Sequence, residues 1–224
     1  MTSADILSNV VLFSDLSKQE LNKLVRLMAE REYGRGEHIL IQNEKGDSLY
    51  IIIEGSVKVA LYGSGGKEII LSILKKGDFF GEMSLLDMDV RSAYVITLEK
   101  TRVLILSRDV FLNWLNSHPS IAIKLLRYLS IRLRNADEII SNLTLLDVYG
   151  RVARFIIDLV KKEGRDVGSE FVIDRRPTHS TIASQIGATR ETVTRSLNDL
   201  EKRGVIRQSG KMLFVKKNFL NISQ

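Results

Sequence analysis

From residue 4 to residue 32 the apolar positions Ile6, Val10, Leu12, Leu21, Leu24, Val25 and Leu27 suit the inner faces of helices. From Gly34 to about Leu106 the period shortens. Tyr50-Ile51-Ile52-Ile53 is a short continuous apolar run, which predicts a buried strand. Val57, Val59 and Leu61 alternate with Ser56, Lys58 and Ala60, which predicts a half-buried one. Gly63-Ser64-Gly65-Gly66 is a turn leading into Glu68–Leu74, and Tyr94–Leu98 and Val103–Leu106 follow as strands. Many short strands at regular spacing predict a β-roll or barrel.

Pro119 then opens a long helix. Leu126, Leu129, Leu133, Ala136, Ile140 and Leu143 along it are spaced alternately by three and four residues. That is a heptad seam of nearly three heptads, and it predicts a two-chain coiled coil and a homodimer. A core helix lying on the barrel is the plainer alternative. Ala136, small and at mid-seam, leaves room for something to approach the interface. Asp147 is the expected N-cap of a helix over Val148–Lys162, and residues 164–169 read as a loop. Thr178 and Ser180 start a short helix over Thr181–Ile186. Gly187 turns the chain, and Thr189 caps a helix over Arg190–Arg203. Ile182, Ala183 and Ile186 form one apolar face, and Val193, Leu197 and Leu200 the other. Residues 205–215 read as a small hairpin, so this segment is a winged helix-turn-helix.

Composition narrows the chemistry. There are 224 residues and no cysteine, which removes disulfides, thiolate metal sites, cysteine-held iron–sulfur clusters and cysteine nucleophiles. His38, His118 and His179 are far apart and in no metal-type spacing. No basic and apolar leader and no membrane-length apolar run is visible, so the expectation is a soluble cytoplasmic protein. The net charge of +6 lies wholly in residues 147–224, because acidic and basic residues balance in 1–146. A basic module on a neutral one suits nucleic acid, with a solvated basic surface as the alternative.

Two stretches carry candidate chemistry. In Phe80–Leu86 with Arg91-Ser92-Ala93, Gly81 lets the backbone approach a ligand closely. The turn from Met83 to Leu86 offers backbone N–H groups to an anion. Arg91 can fork onto a phosphate, and Glu82 can accept from a sugar hydroxyl. A surface ion pair between Glu82 and Arg91 is the plain alternative. In the second stretch Arg190, Glu191 and Arg195 share a helix face. Arginine matches guanine O6 and N7, and a carboxylate accepts from cytosine N4. A surface Glu191–Arg195 salt bridge is the alternative there. With no nucleophile–base pair, no metal cluster and no second carboxylate beside Glu82, an enzyme is not expected.

Together the first stretch's residues resemble the phosphate-binding cassette of cyclic-nucleotide-binding domains, and Leu49–Gly55 and Lys76–Phe80 resemble that domain's strand motifs. The resemblance implies that Glu82 binds the ribose 2′-hydroxyl and that Arg91 pairs with the cyclic phosphate, helped by Ser92 and the backbone after Gly81. The run Arg190–Arg195 resembles the recognition helix of the cyclic-AMP receptor protein/FNR superfamily, and Leu143–Arg151 resembles its hinge and following helix. The implied fold is α+β: a β-roll with flanking helices (1–116), a long dimerisation helix with its hinge (117–146) and a winged helix-turn-helix (147–224). Arg190, Glu191 and Arg195 match the readers of a TGTGA-type half-site. Thr178, Ser180, Thr189 and Thr192 match phosphate contacts, with Lys211 of the wing beside them. Arg132 matches an arginine that reaches towards the phosphate. Ala136 and Asp137 stand where the family's cyclic-AMP receptor has adjacent Thr and Ser on the adenine, so the base half of the site is altered. Cyclic AMP is the first expectation for the effector, ahead of cyclic GMP, cyclic-di-GMP or no ligand, and no metal is expected. The expected partners are double-stranded DNA and RNA polymerase, with the loop at 164–170 a candidate surface for the latter. A cyclic-nucleotide-binding subunit without a DNA role is the competing class.

Overall fold

The computed structural model describes residues 2–63 and 67–223, of which 221–223 are described by backbone alone. The Gly63–Gly66 turn therefore lies largely outside the described residues. These residues fall into two compact units, one of 2–63 with 70–134 and one of 135–223 with 67–69. The division falls inside the long helix, which contributes to both.

The first unit begins with α1 (Ser3–Leu7) and α2 (Lys18–Arg26), each opened by a capping box, Thr2 with Asp5 and Ser17 with Glu20. The helical expectation fails after Leu27. Residues Ala29–Tyr33 form strand β1, paired antiparallel with β8 (Thr101–Ser107). Ala-Glu-Arg-Glu favours helix locally, but pairing along the edge of β8 overrides that preference. Leu27, assigned to an inner face, is instead exposed.

The roll is built from two four-stranded sheets, one ordered β1-β8-β3-β6 and one β2-β7-β4-β5. The remaining strands are β2 (His38–Leu40), β3 (Ser48–Glu54), β4 (Ser56–Tyr62), β5 (Glu68–Lys75), β6 (Phe79–Phe80) and β7 (Tyr94–Thr97). Strand β3 is buried on both faces, which explains its unbroken apolar run. Leu49, Ile51 and Ile53 join the cluster formed with the helices, whereas Ile52 points into the cluster inside the roll with Val57, Val59, Phe80, Val95 and Val103. Between β6 and β7 lies a short helix, α3 (Glu82–Asp87). Then come α4 (Arg108–Ser117) and the 27-residue α5 (Pro119–Leu145). Ile121 and Leu125 anchor the start of α5 in the core. Leu126, Leu133, Ile140 and Leu143 are exposed, and Leu129 is partly buried.

In the second unit Asp147 caps α6 (Val148–Glu163) by accepting from the Gly150 N–H at 2.7 Å. The expected loop at 164–169 contains a strand. Arg165–Asp166 (β9) pairs with β10 (Glu170–Ile173), which also pairs with β12 (Met212–Lys216). The first helix of the pair, α7 (His179–Ile186), starts two residues earlier than expected because Thr178 takes the cap. Gly187 adopts φ +65°, which only a residue without Cβ does freely, and Thr189 caps α8 (Arg190–Lys202). Strands β11 (Ile206–Ser209) and β12 (Met212–Lys216) form the wing hairpin. Val152, Ile156, Ile182, Ile186, Val193 and Leu197 share one core with both strands.

Candidate functional site

A pocket opens in the first unit against α3. Leu40, Val59, Phe80 and Val95 form its apolar wall. Gly81, Glu82, Met83, Ser84, Arg91, Ser92 and Arg132 supply its polar groups. Seven of the nine residues expected to bind a ligand are thus brought together. Ala136 and Asp137 are not among the lining residues. Both are exposed on α5, about one turn beyond Arg132, and both belong to the second unit.

Arg91 is only 5% exposed, and its side chain makes the floor. Nη1 donates to the Gly81 carbonyl at 2.8 Å and to Ser84 Oγ at 2.6 Å, and Nη2 donates to the Ser48 carbonyl at 3.0 Å. The guanidinium lies 5.8 Å from the centre of the Tyr50 ring, which stacks on Phe80. No carboxylate pairs with it among the described residues. Burial lowers its proton affinity, and the neighbouring Tyr50, Asp47 and Glu82 oppose that. A buried cation held by neutral acceptors is a ready anion site, since an anion completes its neutralisation.

Glu82 is 1% exposed, and Arg132 Nη1 donates to its Oε1. Its Oε2 is buried without a donor. Burial raises the pKa of this carboxyl, against the pull of Arg132. The surface-pair alternative is excluded, because Glu82 and Arg91 are both buried and do not pair. A hydroxyl donor on a ligand would satisfy Oε2. Ser92 is exposed, its Oγ donating to Met83 Sδ at 3.6 Å. Gly81 takes φ +87°, and a Cβ there would lie 2.8 Å from the Ser48 carbonyl, so the backbone approach anticipated at Gly81 is used within the protein as well.

Several supporting residues carried no sequence signal. Arg108 Nε holds α3 through the Leu85 carbonyl at 2.9 Å. Tyr128 packs on Phe79 at 4.2 Å, and burial pushes its hydroxyl up to about 12. Gly46 faces the Arg91 guanidinium so closely that a Cβ there would overlap it. Its φ lies outside the left-handed region, and the three atoms nearest such a Cβ all belong to the Arg91 guanidinium, so Gly46→Ala acts through that arginine. We expect Gly46→Ala to keep the fold and to weaken anion binding in the pocket by about tenfold, the cost of roughly one charge-assisted hydrogen bond. Calorimetric titration of both proteins checks this.

In the second unit Arg190, Glu191 and Arg195 are exposed on α8, and among the described residues no hydrogen bond or ion pair engages their side chains. The Glu191–Arg195 salt bridge is absent. Thr178 and Thr189 use their hydroxyls as caps, 3.1 Å from the Thr181 N–H and 3.3 Å from the Thr192 N–H. Ser180 is exposed on α7, and Lys211 is exposed beside Gly210 at the wing tip.

The comparisons with known proteins decide the family. Residues 30–118 match the model of the cyclic nucleotide-binding domain, and residues 150–218 match that of the Crp-like helix-turn-helix domain. The chain is 33% identical, over 94% of each sequence, to a CRP-like cAMP-activated global transcriptional regulator of Mycobacterium tuberculosis. It belongs to the cyclic-AMP receptor protein/FNR superfamily. The crystal structure of Thermus thermophilus catabolite activator protein is 32% identical over 95% of each chain, with a TM-score of 0.55. A Xanthomonas campestris regulator described as c-di-GMP responsive shares the fold, with a TM-score of 0.76 at 22% identity, covering 89% of this chain and 99% of that one. As a cyclic-AMP receptor protein/FNR member the chain is a cyclic-nucleotide-regulated, DNA-binding transcription factor, in a family of regulators rather than enzymes. No described helix is long and apolar enough to cross a membrane.

Proposed function

We propose that the chain is a homodimeric regulator that binds a cyclic mononucleotide in the roll and reads TGTGA-type half-sites with α8. The observation that carries this reading is the paired deficit in the pocket. A buried guanidinium lacks a carboxylate partner, and a buried carboxylate oxygen lacks a donor. A cyclic phosphate answers the first and a ribose 2′-hydroxyl the second. Arg91 and Ser92 take the phosphate with Arg132 nearby. Glu82 takes the ribose, and the main chain at Gly81, Met83 and Ser84 lines the approach. Cyclic AMP is the effector, as it is for the cAMP-activated mycobacterial relative. Cyclic GMP and cyclic-di-GMP are the alternatives that the test includes.

On the DNA side, Arg190, Glu191 and Arg195 read bases, and Thr178, Ser180, Thr189, Thr192 and Lys211 hold the backbone. The exposed side chains of the three readers leave them available for base edges. The exposed seam from Leu126 to Leu143, including Ala136, joins two copies, and residues 145–147 pivot the reading heads. RNA polymerase is the further partner.

The test is anisotropy of a labelled TGTGA-N6-TCACA duplex at fixed salt, with cyclic AMP, cyclic GMP, cyclic-di-GMP or none. Cyclic AMP is expected to tighten binding strongly. Binding that ignores all three nucleotides would remove the pocket from the switch. In the same assay Arg190→Ala is expected to cost about 1–3 kcal/mol and to relax preference at one base pair. Uniform weakening on every sequence would make Arg190 a phosphate contact.

A further inference from the structure

Met83 lies on the first turn of α3 and lines the pocket together with Arg91 and Ser92. It is 41% exposed, so solvent reaches it, and it belongs to none of the three core clusters. The Ser92 hydroxyl donates to Met83 Sδ at 3.6 Å. A thioether is a weak acceptor, and a phosphate oxygen is a strong one that replaces it readily. The sequence also makes methionine the readiest target for a peroxide, because it holds five methionines and no cysteine. Met28 is partly buried against the core, whereas Met83, Met88 and Met212 are exposed. Exposure governs which methionines are oxidised. Of those three, Met83 alone lines the pocket, since Met88 caps the end of α3 and Met212 begins β12.

We propose that Met83 is a modification site, at which oxidation of the thioether to a sulfoxide by hydrogen peroxide reversibly weakens cyclic-nucleotide binding. The proposal rests on reading the pocket as the cyclic-nucleotide site. The sulfur lone pair attacks one peroxide oxygen, and the S–O bond forms as the O–O bond breaks. The departing hydroxide takes the proton from the transferred oxygen, so the products are a sulfoxide and water. Sulfur gives up two electrons, and the peroxide gains them. The apolar side chain becomes a polar one whose oxygen accepts hydrogen bonds strongly. Two consequences act in the same direction. The sulfoxide oxygen holds the Ser92 hydroxyl more firmly than the thioether does, so the phosphate has more to displace. It also sets the negative end of the S–O dipole beside a site that receives an anion. Core packing is spared because Met83 takes no part in it. A methionine sulfoxide reductase returns the thioether.

The test treats the full chain with hydrogen peroxide, removes the excess, and titrates the protein calorimetrically with cyclic AMP, cyclic GMP and cyclic-di-GMP. Peptide mass spectrometry follows the oxygen added at each methionine. Once Met83 is converted, wild-type affinity for the nucleotide it binds is expected to fall roughly tenfold, the worth of about one hydrogen bond. Methionine sulfoxide reductase is expected to restore it. Met88→Leu and Met212→Leu are expected to show the wild-type fall. Met83→Leu, whatever its own starting affinity, is expected to give the same value before and after treatment. Unchanged affinity in wild-type protein whose Met83 is converted overturns the proposal. An equal fall in Met83→Leu overturns it too, because the loss then comes from another residue, and so does a loss that persists after Met83 is reduced. Untreated protein that binds none of the three nucleotides instead removes the reading of the pocket, and the proposal with it.

Discussion

Arg91→Gln is expected to weaken cyclic-nucleotide binding by two to four powers of ten and to abolish ligand-stimulated binding to the operator. The phosphate loses a bidentate, charge-assisted partner, worth about 3–6 kcal/mol when each of its two hydrogen bonds contributes about 1.5–3 kcal/mol. The low dielectric of the pocket enlarges the loss, because Arg91 is 5% exposed and little water replaces it. The same change leaves acceptors at Ser48, Gly81 and Ser84 short of donors, so the domain also melts earlier. Glu82→Gln separates the two effects. It is isosteric, leaves Arg91 untouched, and is expected to cost ligand affinity through the ribose while Arg91's own contacts persist. Calorimetric titration with cyclic AMP, beside thermal melts of each variant, gives both numbers. Ligand-stimulated operator binding that survives Arg91→Gln would mean that the effector binds elsewhere.

Leu133→Asp is expected to have the second largest effect. Leu133 is 64% exposed in the single chain, in line with Leu126 at 65% and Ile140 at 58%. Three large apolar side chains bare on one stripe of a helix are costly in water unless a second helix covers them. A carboxylate in the covered seam would face its own copy across the axis, burying two like charges. The variant is expected to sediment as a monomer at micromolar concentration. It is also expected to lose a hundredfold or more in operator affinity, since one reading head then engages one half-site. The monomer's fold is expected to stay intact, because Ile121 and Leu125, not Leu133, are the buried anchors of α5. A dimer of unchanged affinity would place the subunit contact on another surface.

Much of the architecture was legible because its signals are local. The caps at Asp147 and Thr189, the turn at Gly187 and the apolar faces of α7 and α8 each lie within a few residues of what they control. That Gly81, Glu82, Met83, Ser84 and Arg91 line one pocket was legible for the same reason, as they lie within one short stretch. Strand β1 was not legible. Its Glu-Arg-Glu run is a good helix by propensity, and only β8, some seventy residues on, makes it a strand. Strands β9 and β10 were hidden because two and four residues are too few to display a period.

The sequence by itself determined the order of roll, long helix and winged helix-turn-helix, and the residue types able to meet a phosphate, a sugar and base edges. Those follow from periodicity and side-chain chemistry, which need no knowledge of distant neighbours. Only the tertiary structure decided how the groups are poised. It set Arg91 against the Ser48 carbonyl, 43 residues away, and Arg132 against Glu82, 50 residues away, leaving one cation without an anion and one oxygen without a donor. It also set the His179 ring against Thr194 and Gln208, 15 and 29 residues further along the chain. Charge, burial and hydrogen-bond direction belong to pairs of groups, and the pairs exist only once the chain has folded.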